Sequence, residues 1–222
     1  MAPPNLGDVM PNAELETTEG TFKFHDFIGD KWAILFSHPA DYTPVCTTEL
    51  GTLAKLVPEF DKRNTKVIAL SVDSIEDHKG WSKDVSAFAC IDTLPFPIIA
   101  DKNRDLAVAL GMLDPDEQTK EGLPATARCV FIVGPDKKLK LSILYPATTG
   151  RNFNEVLRVL DSLQLTAYHR VATPANWQPG DECMVTPGVK VEEQEKVFPK
   201  GVRTQEVPSG KAYLRFTPQP NI

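Results

Sequence analysis

The chain has 222 residues, of which 41% are hydrophobic and 24% charged, with a formal charge of −6 at neutral pH. That balance suits a globular protein with one substantial core and a smaller appended unit. It argues against a nucleic-acid or anionic-membrane surface, and no apolar run approaches the roughly 20 residues of a membrane span.

The first ten residues, Met1 to Met10, have neither a basic n-region nor an apolar h-region, so a cytoplasmic setting is expected. Trp32 to Phe36 is an apolar run ending at Ser37-His38-Pro39, which predicts a buried strand breaking into a loop. Leu50, Leu53, Val57 and Phe60 then recur at helical spacing, so a helix should run from about Cys46 to the Glu59–Arg63 region. Lys66 to Val72 predicts a second buried strand. Asp77 to Ala89 predicts a helix with Trp81, Val85 and Phe88 on one side.

Next come a short strand over Pro97 to Ala100, a helix over Arg104 to Leu110 and a strand over Ala127 to Val133. The turn signal Gly134-Pro135-Asp136 leads into a partner strand, Leu139 to Tyr145. Thr149 to Leu165 predicts an amphipathic helix, with Asn152 and Glu155 placed as a capping box. Strands separated by helices imply an α/β sheet covered on both faces. From about Thr166, prolines 174, 179, 187, 199, 208, 218 and 220 break up every candidate helix. The expected division is therefore 1–165 and 166–222. The tail is expected to pack on the first unit or on a second subunit, with small strands near Met184-Val185 and Tyr213 to Phe216.

The four cysteines, Cys46, Cys90, Cys129 and Cys183, form no Cys-x-x-Cys pair, which weakens a zinc site or a dithiol redox centre. His25, His38, His78 and His169 show no metal-ligand spacing. Cys90 and Cys129 lie in apolar stretches and are expected to be packing residues. Cys46 is different. It falls in the first turn of a helix, after a buried strand and a loop held by Pro39 and Pro44. Free N–H groups and the positive end of the helix favour a thiolate there, and cysteines so placed titrate well below the free value of about 8.5. Position alone leaves a plain packing cysteine as an equal alternative. Thr43, three residues earlier, can offer a hydroxyl to the same pocket.

Pro39-x-x-x-Thr43-x-x-Cys46 resembles the active-site motif of the peroxiredoxins. The longer string His38-Pro39…Thr43-Pro44-Val45-Cys46-Thr47-Thr48-Glu49-Leu50 is similar to their one-cysteine branch. The resemblance continues through Ser71-Val72-Asp73-Ser74, Phe96 to Asp101, Pro124 to Arg128 and Tyr145 to Asn152, and covers essentially the whole chain. It implies a thioredoxin-like core, a mixed sheet with helices on both faces, plus a small C-terminal domain. It implies a peroxidase in which Cys46 attacks a peroxide oxygen and becomes a sulfenic acid. Arg128 would stabilise the thiolate and the departing oxygen, Thr43 would bind the peroxide, and Pro39 would shield the sulfur. His38 and Arg151 match further pocket residues of the family. No metal, haem or flavin cofactor is implied, and a homodimer is.

Two-cysteine relatives carry a resolving cysteine in a Cys-Pro-x-x-Trp context, whereas this chain has Thr173-Pro174-Ala175-Asn176-Trp177. The sulfenic acid should then be reduced by an external thiol such as glutathione, or by ascorbate. Cys183 is the remaining tail thiol that could pair with Cys46, although its surroundings do not resemble a resolving site. Some branch members also hydrolyse phospholipids through a Gly-x-Ser-x-Gly-like element. Here the segment is Gly29-Asp30-Lys31-Trp32-Ala33, with Lys31 at the serine position and His25 and Asp136 at the other positions. Without a hydroxyl, serine-dependent hydrolysis is expected to be absent or very weak. Two other readings of the same thiol are a disulfide oxidoreductase, which needs a second nearby cysteine, and a redox sensor, which needs no turnover.

Overall fold

A computed structural model describes residues 2–119 and 122–221. In chain order its elements are β1 (Glu14–Thr17), β2 (Gly20–Lys23), α1 (Phe24–Ile28), β3 (Trp32–Ser37), α2 (Pro44–Lys62), β4 (Thr65–Ser71), α3 (Ile75–Ala89), β5 (Ile98–Ala100), α4 (Asp105–Ala109), β6 (Leu113–Gln118), β7 (Pro124–Thr126), β8 (Arg128–Val133), β9 (Leu139–Tyr145), α5 (Phe153–Tyr168), β10 (Val171–Ala172), β11 (Cys183–Val185), α6 (Gln194–Val197), β12 (Arg203–Thr204) and β13 (Arg215–Thr217). Seven strands form one sheet in the order β2-β1-β5-β4-β3-β8-β9. The β3-β4 and β4-β5 pairs are parallel and the β3-β8 and β8-β9 pairs antiparallel. The sheet is mixed, as expected.

β3 is buried along its whole length because it lies in the middle of this sheet with both faces covered. Its alternation assigns the two faces. Ala33 and Leu35 join a core with Phe24 and Ile28 of α1, Ala107 of α4, and Ile68, Leu70, Cys129, Phe131 and Val133 from the neighbouring strands. Phe36, of opposite parity, meets the Phe60 ring of α2 edge-on at 6.4 Å. Helices therefore cover both faces, in a thioredoxin-like arrangement.

The N-terminal hairpin β1-β2 and the β6-β7 ribbon have no counterpart in the sequence pattern. Each is short, and β6 is a polar run, Asp-Pro-Asp-Glu-Gln after its leucine. One expected packing contact is also revised. Trp81 and Val85 are buried on α3, but Phe88 is half exposed. Its ring lies beside Gly51 of α2, where a Cβ would come within 2.6 Å of it. Two helices approach closely there because position 51 has no side chain.

By contacts the chain divides into residues 1–153 and 154–222, so α5 groups with the second unit instead of ending the first. Its Leu165 joins Val171, Trp177, Cys183, Val185, Val189 and Phe198 in a core that belongs to the second unit. The prolines do not prevent that unit from forming a four-stranded sheet, β10-β11-β13-β12. Each strand is only two or three residues long, so the prolines fall between strands.

α3 starts with a side-chain cap: Ser74 Oγ accepts from Asp77 N–H at 3.1 Å and donates to the Asp77 carboxylate at 2.7 Å. Ser74→Ala removes both bonds. It should lower unfolding free energy by about 1 kcal/mol, measured by denaturant titration with an unchanged slope.

Candidate active site

β3 delivers the chain to the loop from His38 to Thr43, and α2 begins at Pro44. Proline suits this first position because its fixed φ is helical and no N–H is needed there. Thr43 occupies the cap position, yet its side chain makes no capping bond. Its hydroxyl donates instead to Ala40 O at 2.9 Å, across the loop. The first helical bond is Thr47 N–H to Thr43 O. The amides of Val45 and Cys46 therefore have no intrahelical acceptor. Cys46 sits in this first turn, fully buried.

Arg128, the first residue of β8, places Nη1 at 3.3 Å from Cys46 Sγ and at 2.8 Å from Glu49 Oε2. Its Nε and Nη2 both donate to Ala147 O, at 2.8 and 2.6 Å, which locks the guanidinium plane. Glu49 follows Cys46 by one helical turn and lies on the same face. Its other oxygen accepts from the backbone N–H of Arg151 at 2.7 Å and from Arg151 Nε at 3.0 Å, and Arg151 Nη2 donates to Oε2 at 2.7 Å. Arg151 Nη1 donates to Ser37 O and Cys129 O, tying the group to β3 and β8. The guanidinium also stacks over Phe36 at 5.3 Å.

Burial raises the Glu49 carboxyl, but the charge and hydrogen bonds of Arg151, with the charge of Arg128, outweigh it and hold the group below its ordinary 4.5. Two buried guanidinium charges thus share one carboxylate. The sum is one positive charge in excess, and Arg128 presents it to the sulfur. A thiolate at Cys46 would close that balance, so the ion-pair geometry complements the anionic form of this sulfur.

Of the expected residues, Arg128 reaches the sulfur directly, and Arg151 acts on it through Glu49. Thr43 sets the helix entry, and Pro39 is buried in the loop. His38 turns toward a different partner. Its Nε2 lies 2.8 Å from Asp41 Oδ1, and Asp41 Oδ2 lies 2.5 Å from His78 Nδ1. Burial raises the Asp41 carboxyl, and the bonds to His38 and His78 more than offset this, leaving it below its ordinary 3.8. His38, Asp41 and Asp73 bring ligand-type atoms within 4.8 Å of one another. All three are committed to hydrogen bonds, since Asp73 Oδ2 accepts from Ser71 Oγ–H and Asp41 N–H.

Glu49, Asp41 and His78 carry no assignment from the sequence pattern. Only Glu49 left a legible trace there, as a charge on the apolar side of its helix one turn after the cysteine.

The other thiols sit in three different settings. Cys129 is buried in the sheet and Cys183 in the second unit's core, and in both burial pushes the thiol up. Cys90 is exposed at the left-handed end of α3, so the expected packing role does not hold for it. Thr173, at the resolving position, bonds Ser162 Oγ at 2.7 Å. Lys31 is exposed, His25 Nε2 faces Met10 O at 2.7 Å, and Asp136 pairs with Lys140 at 2.6 Å. His25 and Asp136 are thus each engaged in a separate local interaction.

Residues 6–142 match the AhpC/TSA family and residues 162–200 match the C-terminal domain of 1-Cys peroxiredoxin. The chain is 67% identical to peroxiredoxin-6 of Gallus gallus and 66% identical to that of Homo sapiens, in each case over 218 residues and 97% of both chains. Among solved structures it is similar to a cysteine-to-serine mutant of peroxiredoxin 6 from Arenicola marina, at 61% identity and a TM-score of 0.96, covering 98% of this chain and 99% of that one. A yeast mitochondrial 1-Cys peroxiredoxin, described for its thiol resolving mechanism via glutathione and thioredoxin systems, is 44% identical with a TM-score of 0.87, covering 96% and 99%. With a first-turn cysteine facing an arginine, and both units matched by family models, the chain belongs to the AhpC/TSA family, in its one-cysteine peroxiredoxin branch.

Proposed function

We propose that Cys46 is the sulfur at which this thiol peroxidase reduces hydrogen peroxide and small organic hydroperoxides, lipid ones among them. The observation that carries this is the 3.3 Å approach of Arg128 Nη1 to Cys46 Sγ at the start of α2. The thiolate attacks the hydroxyl-bearing oxygen of the peroxide. An S–O bond forms, the O–O bond breaks, and its electron pair leaves on the far oxygen, which takes up a proton and departs as water or alcohol. Sulfur is oxidised to sulfenic acid and the peroxide is reduced. Arg128, already aimed at the sulfur, is placed to hold the charge that develops on the departing oxygen.

Resolution falls to an external reductant. One thiol displaces water from the sulfenic acid to give a mixed disulfide, and a second thiol releases Cys46. Glutathione fits this chemistry, and ascorbate is the non-thiol alternative. Thr173 in place of a resolving cysteine supports the external route, as does the burial of Cys183 in its own core. The setting is the reducing cytoplasm and the role antioxidant defence.

The chain is proposed to act as a homodimer. β9 is the outermost strand of the seven-stranded sheet, so one of its edges has no strand partner among the described residues. It also carries Leu144 at 58% exposure. An apolar edge strand is a template for pairing with another chain.

One equivalent of hydrogen peroxide should convert Cys46 alone to sulfenic acid, read by mass spectrometry. Cys46→Ser should abolish peroxide consumption with glutathione. A reduced Cys46 while peroxide persists refutes the proposal, and a Cys46–Cys183 disulfide overturns the external route. Glu49→Gln leaves two buried arginines under-compensated and should lower stability at pH 7 by about 3–5 kcal/mol. Because the Glu49 carboxyl is depressed in the fold, its contribution is complete above 4.5 and is lost as the pH falls through the folded value. The gap between wild type and Glu49→Gln in denaturant titrations should therefore narrow on acidification below 4.5. Light scattering should give twice the chain mass of 24.5 kDa, and Leu144→Glu should shift the protein toward monomer.

A further inference from the structure

The second unit carries a cavity of about 250 Å³ between the end of α5, the turn after α6 and the segment after β13. Proline dominates its walls. Pro199, Pro218 and Pro220 line it together with Val197 and Phe198. A proline brings a hydrocarbon ring and no N–H, so most of this wall offers no hydrogen-bond donor. Phe198 is buried and continues inward to the core around Trp177.

These walls are fixed before anything binds. Gly201 N–H donates to Phe198 O at 2.9 Å, closing the turn after α6, and Thr217 Oγ1 donates to Gly201 O at 2.9 Å. Gly180 N–H donates to Gln219 Oε1 at 2.5 Å, which pins the residue between Pro218 and Pro220. Sites for small molecules are of this kind: concave, mostly apolar and pre-formed, with a few polar groups that set orientation.

Two side chains supply the polar groups. Lys200 Nζ donates to Asn221 Oδ1 at 3.1 Å and to Gln219 O at 3.5 Å. Neither oxygen carries a charge, and Lys200 has no carboxylate partner among the described residues. His169, the residue after α5, lines the same cavity half-buried. Its ring makes no hydrogen bond among the described residues. No aspartate or glutamate stands among the described lining residues, so the free polar capacity of the cavity lies in N–H donors.

We propose that this cavity binds a small carboxylate with an apolar, ring-sized body. Lys200 and His169 hold the two oxygens, and the ring lies against Phe198 and the prolines. Size and donor count select the class. At about 250 Å³ the cavity falls below the roughly 300–1,000 Å³ of sites for drug-sized ligands, so the body is small. Two donors match the two oxygens of a carboxylate. A phosphate would leave an oxygen against hydrocarbon without a donor, which is costly. The site lies wholly within the second unit and does not depend on the chemistry of Cys46.

Phenylacetate is the probe, titrated into the full chain and followed by backbone proton–nitrogen NMR. Shifts are expected at the amides of Phe198, Lys200, Gly201 and Thr217. The dissociation constant should be near 1 mM, an affinity within reach of about ten heavy atoms. Phenylethanol keeps the ring without the charge and should bind about tenfold more weakly. Lys200→Gln should weaken phenylacetate about tenfold, the worth of one charge-assisted hydrogen bond, and leave phenylethanol unchanged. His169→Gln should also weaken phenylacetate and spare the alcohol. No shift at these amides up to about 10 mM, or shifts scattered over lysines elsewhere on the surface, overturns the proposal. So does an alcohol that binds as well as the acid, or a folded Lys200→Gln that binds phenylacetate as wild type does.

Discussion

The carboxylate of Glu49 is shared by two guanidinium groups in a place where water does not reach, and four segments of chain meet because of it. Glu49 belongs to α2, Arg128 to β8, and Arg151 to the approach to α5, while Arg151 also bonds the carbonyls that close β3 and open β8. Charges taken out of water must be paired and fully hydrogen-bonded to be tolerated. Arg151 accordingly donates from its backbone N–H and from Nε, Nη1 and Nη2. The arrangement is structural glue and electrostatic device at once. The same bonds that hold helix to sheet leave one positive charge unbalanced, directed at the sulfur.

This explains which parts of the molecule could be read from the sequence. β3 and β4 announce themselves as apolar runs because a central strand is covered on both sides, and α2 and α5 show their stripes because each has one covered side. Phe88 misleads for a local reason: helical spacing puts it with Trp81 and Val85, but the missing side chain at Gly51 gives its ring a shallow seat near the surface. The β1-β2 hairpin is too short for periodicity to show, and β6 is a polar run after its leucine. The site divides in the same way. Cys46, Thr43 and Arg128 stand in recognisable strings, and Glu49 is visible one turn from the cysteine. The pairing of Asp41 with His78 is not legible, because the two are 37 residues apart and only the packing of α3 against the loop after β3 brings them together.

Four cysteines with the same side chain show how far surroundings decide chemistry. Cys129 and Cys183 are enclosed by apolar neighbours, where a charge on sulfur has no partner strong enough to hold it. Cys90 is open to solvent at the end of α3. Only Cys46 combines burial, a helix start and a guanidinium. Burial by itself does not separate it from Cys129, which is equally enclosed. The direction of the surrounding dipoles and charges does.

The start of α2 carries one more consequence. Thr43 spends its hydroxyl hydrogen on Ala40, and proline at the next position brings no amide, so this helix has no side-chain cap of its own. A self-capped helix would be indifferent to what occupies the space ahead of it. This one is not. By thermodynamic linkage, any oxygen-rich species that settles against the amides of Val45 and Cys46 tightens the turn by as much as the turn favours that species. Were the sulfur to gain an oxygen that reached these amides, the oxidation state of one atom would be written into how firmly the first turn of a nineteen-residue helix is held.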